Sequence, residues 1–110
     1  MRIVTAGIAA AALVAAFGTA PARADDAAVE ALMKKSNCFK CHAVDKKKDG
    51  PSFKETAGKY KGKPDAEAKL YTHLTTHPMV KVDGKEEKHD SLKTTDDAEI
   101  KAVIQWILSR

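Results

Sequence analysis

The residues best suited to chemistry are Cys38-Phe39-Lys40-Cys41-His42, which hold the only two cysteines of the 110-residue chain. Two thiols fall on one turn and an imidazole follows at once. A Cys-x-x-Cys pair serves three chemistries: dithiol redox exchange, zinc binding and covalent anchoring of haem. A redox dithiol expects alternating strands and helices, a pattern missing here. Zinc expects four ligands, usually with a second cysteine pair. His42, His73, His77 and His89 are the four histidines, and no second pair exists. Haem needs what the string contains. The thiols of Cys38 and Cys41 add across two vinyl groups as thioethers, and the ring nitrogen of His42 meets the iron from one face. The expected cofactor is one haem c.

The surrounding pattern is helical. Asp25 and Asp26 open a helical segment in which Val29, Leu32 and Met33 make one apolar face, and Ser36-Asn37 ends it ahead of the cysteine turn. Residues 43–52 read as a loop with three successive lysines and Gly50-Pro51. Phe53 to Lys59 suits a short helix, broken by Gly62 and Pro64. Asp65 is placed to cap a helix over Ala66 to Leu74, with Leu70, Tyr71 and Leu74 on its apolar side. Thr75 to Thr94 is the least regular stretch, and the brief Val80-Val82 alternation does not establish a strand. The clearest helix is the last: Thr95 as cap, Asp96, Asp97 and Glu99 in the first turn, then an Ile100, Val103, Ile104, Ile107 stripe. The expectation is a small all-α domain with its first and last helices packed together.

The beginning of the chain reads as a secretory signal peptide: Arg2, an apolar run from Ile3 to Phe17, then Ala22-Arg23-Ala24 as a cleavage site. The run is too short for a membrane span of about 20 residues. Cleavage after Ala24 would leave 86 of 110 residues, one domain over 25–110, exported to the periplasm. Such a short chain buries little apolar surface, and the haem would serve as its staple. Losing Arg2 and Arg23 takes the 19 basic residues to 17 against 15 acidic ones. That balance argues against nucleic-acid binding. Lysines do cluster after the haem string: Lys40, Lys46, Lys47, Lys48, Lys54, Lys59, Lys61 and Lys63. Most belong to a solvated surface, but together they could steer an acidic redox partner.

From residue 26 onward the chain resembles the small bacterial class I cytochromes c of the c-551/c-552 and c5 kind. The resemblance rests on Cys38 to His42, on Gly50-Pro51-Ser52-Phe53 followed by Ala57-Gly58-Lys59-Tyr60, on Ala66 to Leu70, and on Thr95-Asp96-Asp97 leading to Trp106-Ile107-Leu108. It implies the class I fold, small helices wrapped around one haem. It also implies that the Pro51 carbonyl accepts a hydrogen bond from the non-ligating nitrogen of His42, which fixes the tautomer and strengthens the imidazole as a donor. In that family a methionine usually fills the other face of the iron, about six residues before the cap of the last helix. Here His89 stands at that place, while Met79, the candidate by residue type, lies ten residues earlier. His89 is preferred on position and Met79 stays open as the alternative. Met33 reads as core, and His73 and His77 read as polar surface.

The functional expectation is a soluble periplasmic monohaem carrier of single electrons and not an enzyme. It would be a monomer, with redox partner proteins and no membrane span after cleavage. An alternative from a different class is a haem-based gas binder or sensor with a displaceable sixth ligand, which carbon monoxide added to the reduced protein would reveal.

Overall fold

The computed structural model describes residues 26–110, so the expected signal peptide lies outside the described residues. Five helices and one hairpin follow in order: α1 (Asp26–Lys35), α2 (Cys38–Cys41), α3 (Phe53–Tyr60), α4 (Ala66–Thr75), β1 (Met79–Val82), β2 (Lys85–Lys88) and α5 (Asp97–Leu108). The all-α class I architecture stands, with a two-stranded antiparallel addition.

α5 is the element on which α1, α3 and α4 all pack. Its stripe of Ile100, Val103, Ile104 and Ile107 is buried, and Trp106 joins it. From α1 come Val29 and Met33, from α3 Phe53, and from α4 Leu70 and Leu74, with Leu92 closing one side. Each such side chain is worth about 1.5–3 kcal/mol when fully buried. Phe39, Phe53 and Trp106 meet edge-on, with ring centroids 5.2–6.4 Å apart. That cluster ties the cysteine turn to α3 and α5.

The helix starts differ from expectation in two places. At α5 the cap is Asp96 rather than Thr95: an Asp96 carboxylate oxygen accepts from the Glu99 backbone N–H at 3.1 Å. Asp96 is the extended residue directly ahead of the helix, with φ of −74° and ψ of 116°, so its carboxylate lies within reach of the orphan donors of the first turn. At α4 Asp65 holds the cap position, yet its side chain makes no cap bond and instead pairs with Lys69 at 2.9 Å. Ser52 does cap α3, accepting from the Glu55 N–H at 3.0 Å.

The stretch from Met79 to Lys88 is an ordered hairpin. Met79 pairs with Lys88 and Val82 with Lys85, around an Asp83-Gly84 turn with φ of 50° and 78°. Two left-handed residues in succession match the right-handed twist of the strands, which is why Asp-Gly suits this turn. Its base is shut by the His89 N–H donating to the Pro78 carbonyl at 2.8 Å, and Leu92 N–H donates to Leu74 O at 2.9 Å just beyond.

Candidate haem site

Two residues past the end of α1 stands Asn37, whose φ of 64° turns the chain sharply into α2. Ser36, buried beside it, accepts from the Lys93 N–H at 2.9 Å and so binds this corner to the segment ahead of α5. α2 is a single helical turn, which sets Cys38 and Cys41 on one side with His42 just past its end. Neither cysteine is in a disulfide. Burial pushes the Cys38 thiol up to about 11, a neutral thiol at physiological pH. Among the described residues, no group of three or more His, Cys, Asp or Glu is gathered to hold a bare metal ion.

His42 is held from two directions. Its Nδ1–H donates to the Pro51 carbonyl at 2.7 Å, the partner that the resemblance implies. Phe53 lies alongside, with centroids 5.2 Å apart and planes 32° apart. Gly50 backs the ring so closely that a Cβ there would meet Cε1 first and stand 2.8 Å from Nδ1. The glycine is needed for space, a requirement the sequence reading of Gly50-Pro51 as a turn did not contain.

A cavity of about 470 Å³ opens between Cys38, Cys41 and His42 on one wall and His89 on the other. That size falls within the range of cofactor sites. Val80 and Val82 of β1 form part of its rim, and Met33, Leu70 and Leu74 part of its apolar lining. The His42 and His89 rings have centroids 6.2 Å apart and planes 54° apart. Met79 is not part of this wall. In the hairpin register it neighbours His89, but its side chain points outward and is 60% exposed. His77 is exposed as well, and its Nδ1–H donates to the His89 carbonyl at 3.2 Å.

His73 departs from the sequence reading. It is not free surface but a half-buried wall residue of the cavity, its ring centroid 4.1 Å from that of His89. The eighth position of an amphipathic helix gives no sign of this, because the contact comes from a loop sixteen residues away. Burial, with the nearby His42 and Lys59 charges adding to it, lowers the His73 pKa. Burial chiefly, then the His73 and His42 charges, lowers that of His89 to about 4. Both rings are therefore neutral at pH 7, the form in which imidazole donates to a metal. His89 Nδ1 is buried without a partner in good hydrogen-bond geometry, with the Asp90 backbone near the ring.

Thiol pair, anchored imidazole and apolar cavity together fit a haem and little else. The cytochrome c family profile matches residues 27–110, from the second residue of α1 to the last of the chain. This chain belongs to the cytochrome c family. Among solved structures the cytochrome resembles the class 1 cytochrome MtoD from Sideroxydans lithotrophicus ES-1, with a TM-score of 0.73 and 49% identity, over 77% of this chain and 95% of that one. It also resembles wild-type cytochrome c552 of Nitrosomonas europaea, with a TM-score of 0.57 and 32% identity over 73% and 96%. Among curated relatives, cytochrome c-552 of Nitrosomonas europaea is 34% identical over 71% of this chain and 74% of its own length. Cytochrome c-551 of Pseudomonas aeruginosa is 46% identical over 41 residues, which span 39% of that protein. The cofactor of this cytochrome is covalently bound haem c.

Proposed function

We propose that this cytochrome is a soluble periplasmic carrier of single electrons, with Cys38 and Cys41 as haem anchors and His42 and His89 as the two axial ligands. The observation that carries the ligand pair is the 6.2 Å between the His42 and His89 ring centroids across the cavity. Two imidazoles bound on opposite sides of one metal, each with nitrogen about 2 Å from it, have centroids roughly 6.3 Å apart. Exposure of Met79 supports the same choice, since a thioether ligand must point inward.

The haem supplies a one-electron ferric–ferrous couple. The protein's part is to hold both axial positions, keep the site apolar and leave a rim for contact. His42 binds through Nε2 because Pro51 occupies Nδ1. With both positions filled no substrate site remains, so the reading is a carrier and not an enzyme. An imidazole in place of a thioether favours ferric iron and lowers the potential. Lys59, Lys81 and Lys88 lie at the cavity rim, with Lys46 and Lys47 exposed nearby in sequence. They support docking on an acidic partner surface, with rates that fall as salt rises. Residues 1–24 are the proposed signal peptide, removed after Ala24; an intact mass retaining Met1 to Ala24 would contradict export by that route.

Near-infrared magnetic circular dichroism of the ferric protein tests the ligand pair. A bis-imidazole charge-transfer band that is unchanged in Met79→Ala and lost in His89→Ala is expected. A histidine–methionine band that disappears in Met79→Ala would overturn the assignment.

A further inference from the structure

Metal-bound imidazoles are ordinarily fixed in one plane by a hydrogen bond from the nitrogen that does not bind the metal. His42 has that bond, to Pro51. His89 has no comparably short bond: its buried Nδ1 meets no partner in good hydrogen-bond geometry, and only the backbone of its chain neighbour Asp90 lies near enough to interact with the ring. The backbone of His89 is well held, through Pro78 on its N–H and His77 on its carbonyl. The rotation of an imidazole about its Cβ–Cγ bond is broad, however, and a fixed backbone does not set it.

What touches the ring is His73, with centroids 4.1 Å apart and planes 48° apart. That is closer than either ring stands to any other aromatic partner, His42 included. His73 belongs to α4, whose Leu70 and Leu74 are buried in the core. The helix cannot rotate without exposing them, so the Cβ of His73 is held beside His89 and the contact between the two rings restrains the plane of each. We propose that His73 is a positioning residue for the second axial ligand: by packing its tilted ring against His89 it sets the plane of that imidazole, the task that the Pro51 carbonyl performs for His42. The proposal rests on His89 being that ligand.

The angle between two axial imidazole planes governs the splitting of the ferric low-spin levels, and electron paramagnetic resonance reads it through the g-values. The planes of His42 and His89 stand 54° apart. A ring with no strong hydrogen bond should lose its single orientation when its nearest aromatic neighbour is removed. A merely structural role for His73 would lower stability and leave the g-values where they are.

The test is frozen-solution resonance of the ferric holoprotein, with near-infrared magnetic circular dichroism on the same samples. Wild type should give one low-spin signal. His73→Ala should keep the bis-imidazole band while its largest g-value shifts or spreads into a distribution. His73→Phe, which restores a ring face without a ligating nitrogen, should return a single signal close to that of wild type. If His73→Ala does not take up haem, His73→Leu carries the same comparison, since it fills the volume without a flat face. Wild-type g-values in His73→Ala or His73→Leu, with the band intact, would overturn the positioning role. So would a His73→Phe spectrum as altered as that of the alanine variant. Survival of the bis-imidazole band in His89→Ala would instead overturn the ligand assignment on which the proposal stands.

Discussion

Gly50→Ala is the sharpest perturbation of the anchored face. The added Cβ would stand 2.8 Å from His42 Nδ1 and 3.1 Å from Nε2, where ordinary contact begins at 3.4 Å. The backbone cannot retreat. Gly50 N–H donates to Cys41 O at 2.7 Å, and Gly50 O accepts from Lys48 N–H at 3.1 Å. Nor is the cost conformational, since Gly50 lacks the positive φ of Gly62 and Gly84. The ring itself must move by about 0.6 Å at Nδ1 and further at Cε1, and such overpacking costs about 1–3 kcal/mol. Lengthening the 2.7 Å bond to Pro51 removes part of a further ~1 kcal/mol. A total near 3 kcal/mol lowers the melting temperature of a domain this size by about 12–24 °C. The weakened bond also makes His42 a poorer donor to ferric iron. If about 0.5–1 kcal/mol of it distinguishes the two oxidation states, the potential rises by about 20–40 mV. Thermal melts of the holoprotein and a spectroelectrochemical titration read the two effects. Gly58→Ala is the control: nothing lies within 4 Å of its Cβ position in α3, so it should gain about 0.5–1 kcal/mol and leave the potential alone. A Gly50→Ala protein that melts and titrates as wild type does would refute the reasoning.

Asp96→Ala should cost about 1 kcal/mol by chemical denaturation through loss of the α5 cap, whereas Thr95→Ala should stay within about 0.5 kcal/mol. Ser36→Ala strips the acceptor from the Lys93 N–H at a buried corner and should cost about 1–3 kcal/mol, with the reduction potential unchanged. Met79→Ala should leave both the Soret spectrum and the potential unchanged, because its exposed side chain makes no part of the cavity wall.

What the sequence made readable was what local pattern encodes. The Ile100, Val103, Ile104, Ile107 stripe and the Val29, Met33 pair are buried as their spacing requires. His42 and Pro51 lie nine residues apart and meet through a short loop that the Gly50-Pro51 motif announces. The cap of α5 was misplaced by one residue because Thr95 and Asp96 are both good caps, and only backbone geometry chooses between them. The hairpin was missed although Asp83-Gly84 is among the strongest short hairpin signals. Its strands hid it: Lys85 to Lys88 is Lys-Glu-Glu-Lys, exposed throughout, with no apolar alternation to see. The packing of His73 against His89 was illegible for a deeper reason. It joins a helix to a loop, and no periodicity within either segment records the contact.

The closed base of that hairpin has a consequence for how far the second imidazole can stray. Between Leu74 and Leu92 runs a tether whose loose ends would wander, and fixing a residue within it costs entropy that grows with contour length. The Pro78–His89 and Leu74–Leu92 bonds short-circuit the path, so His89 is placed as though it followed Pro78 directly. Residues 79–88 become a side branch whose length is mechanically irrelevant to the placement of His89. Strand pairs could be added or removed beyond the Asp83-Gly84 tip, reshaping the outer face of the molecule, while His89 stays where it is.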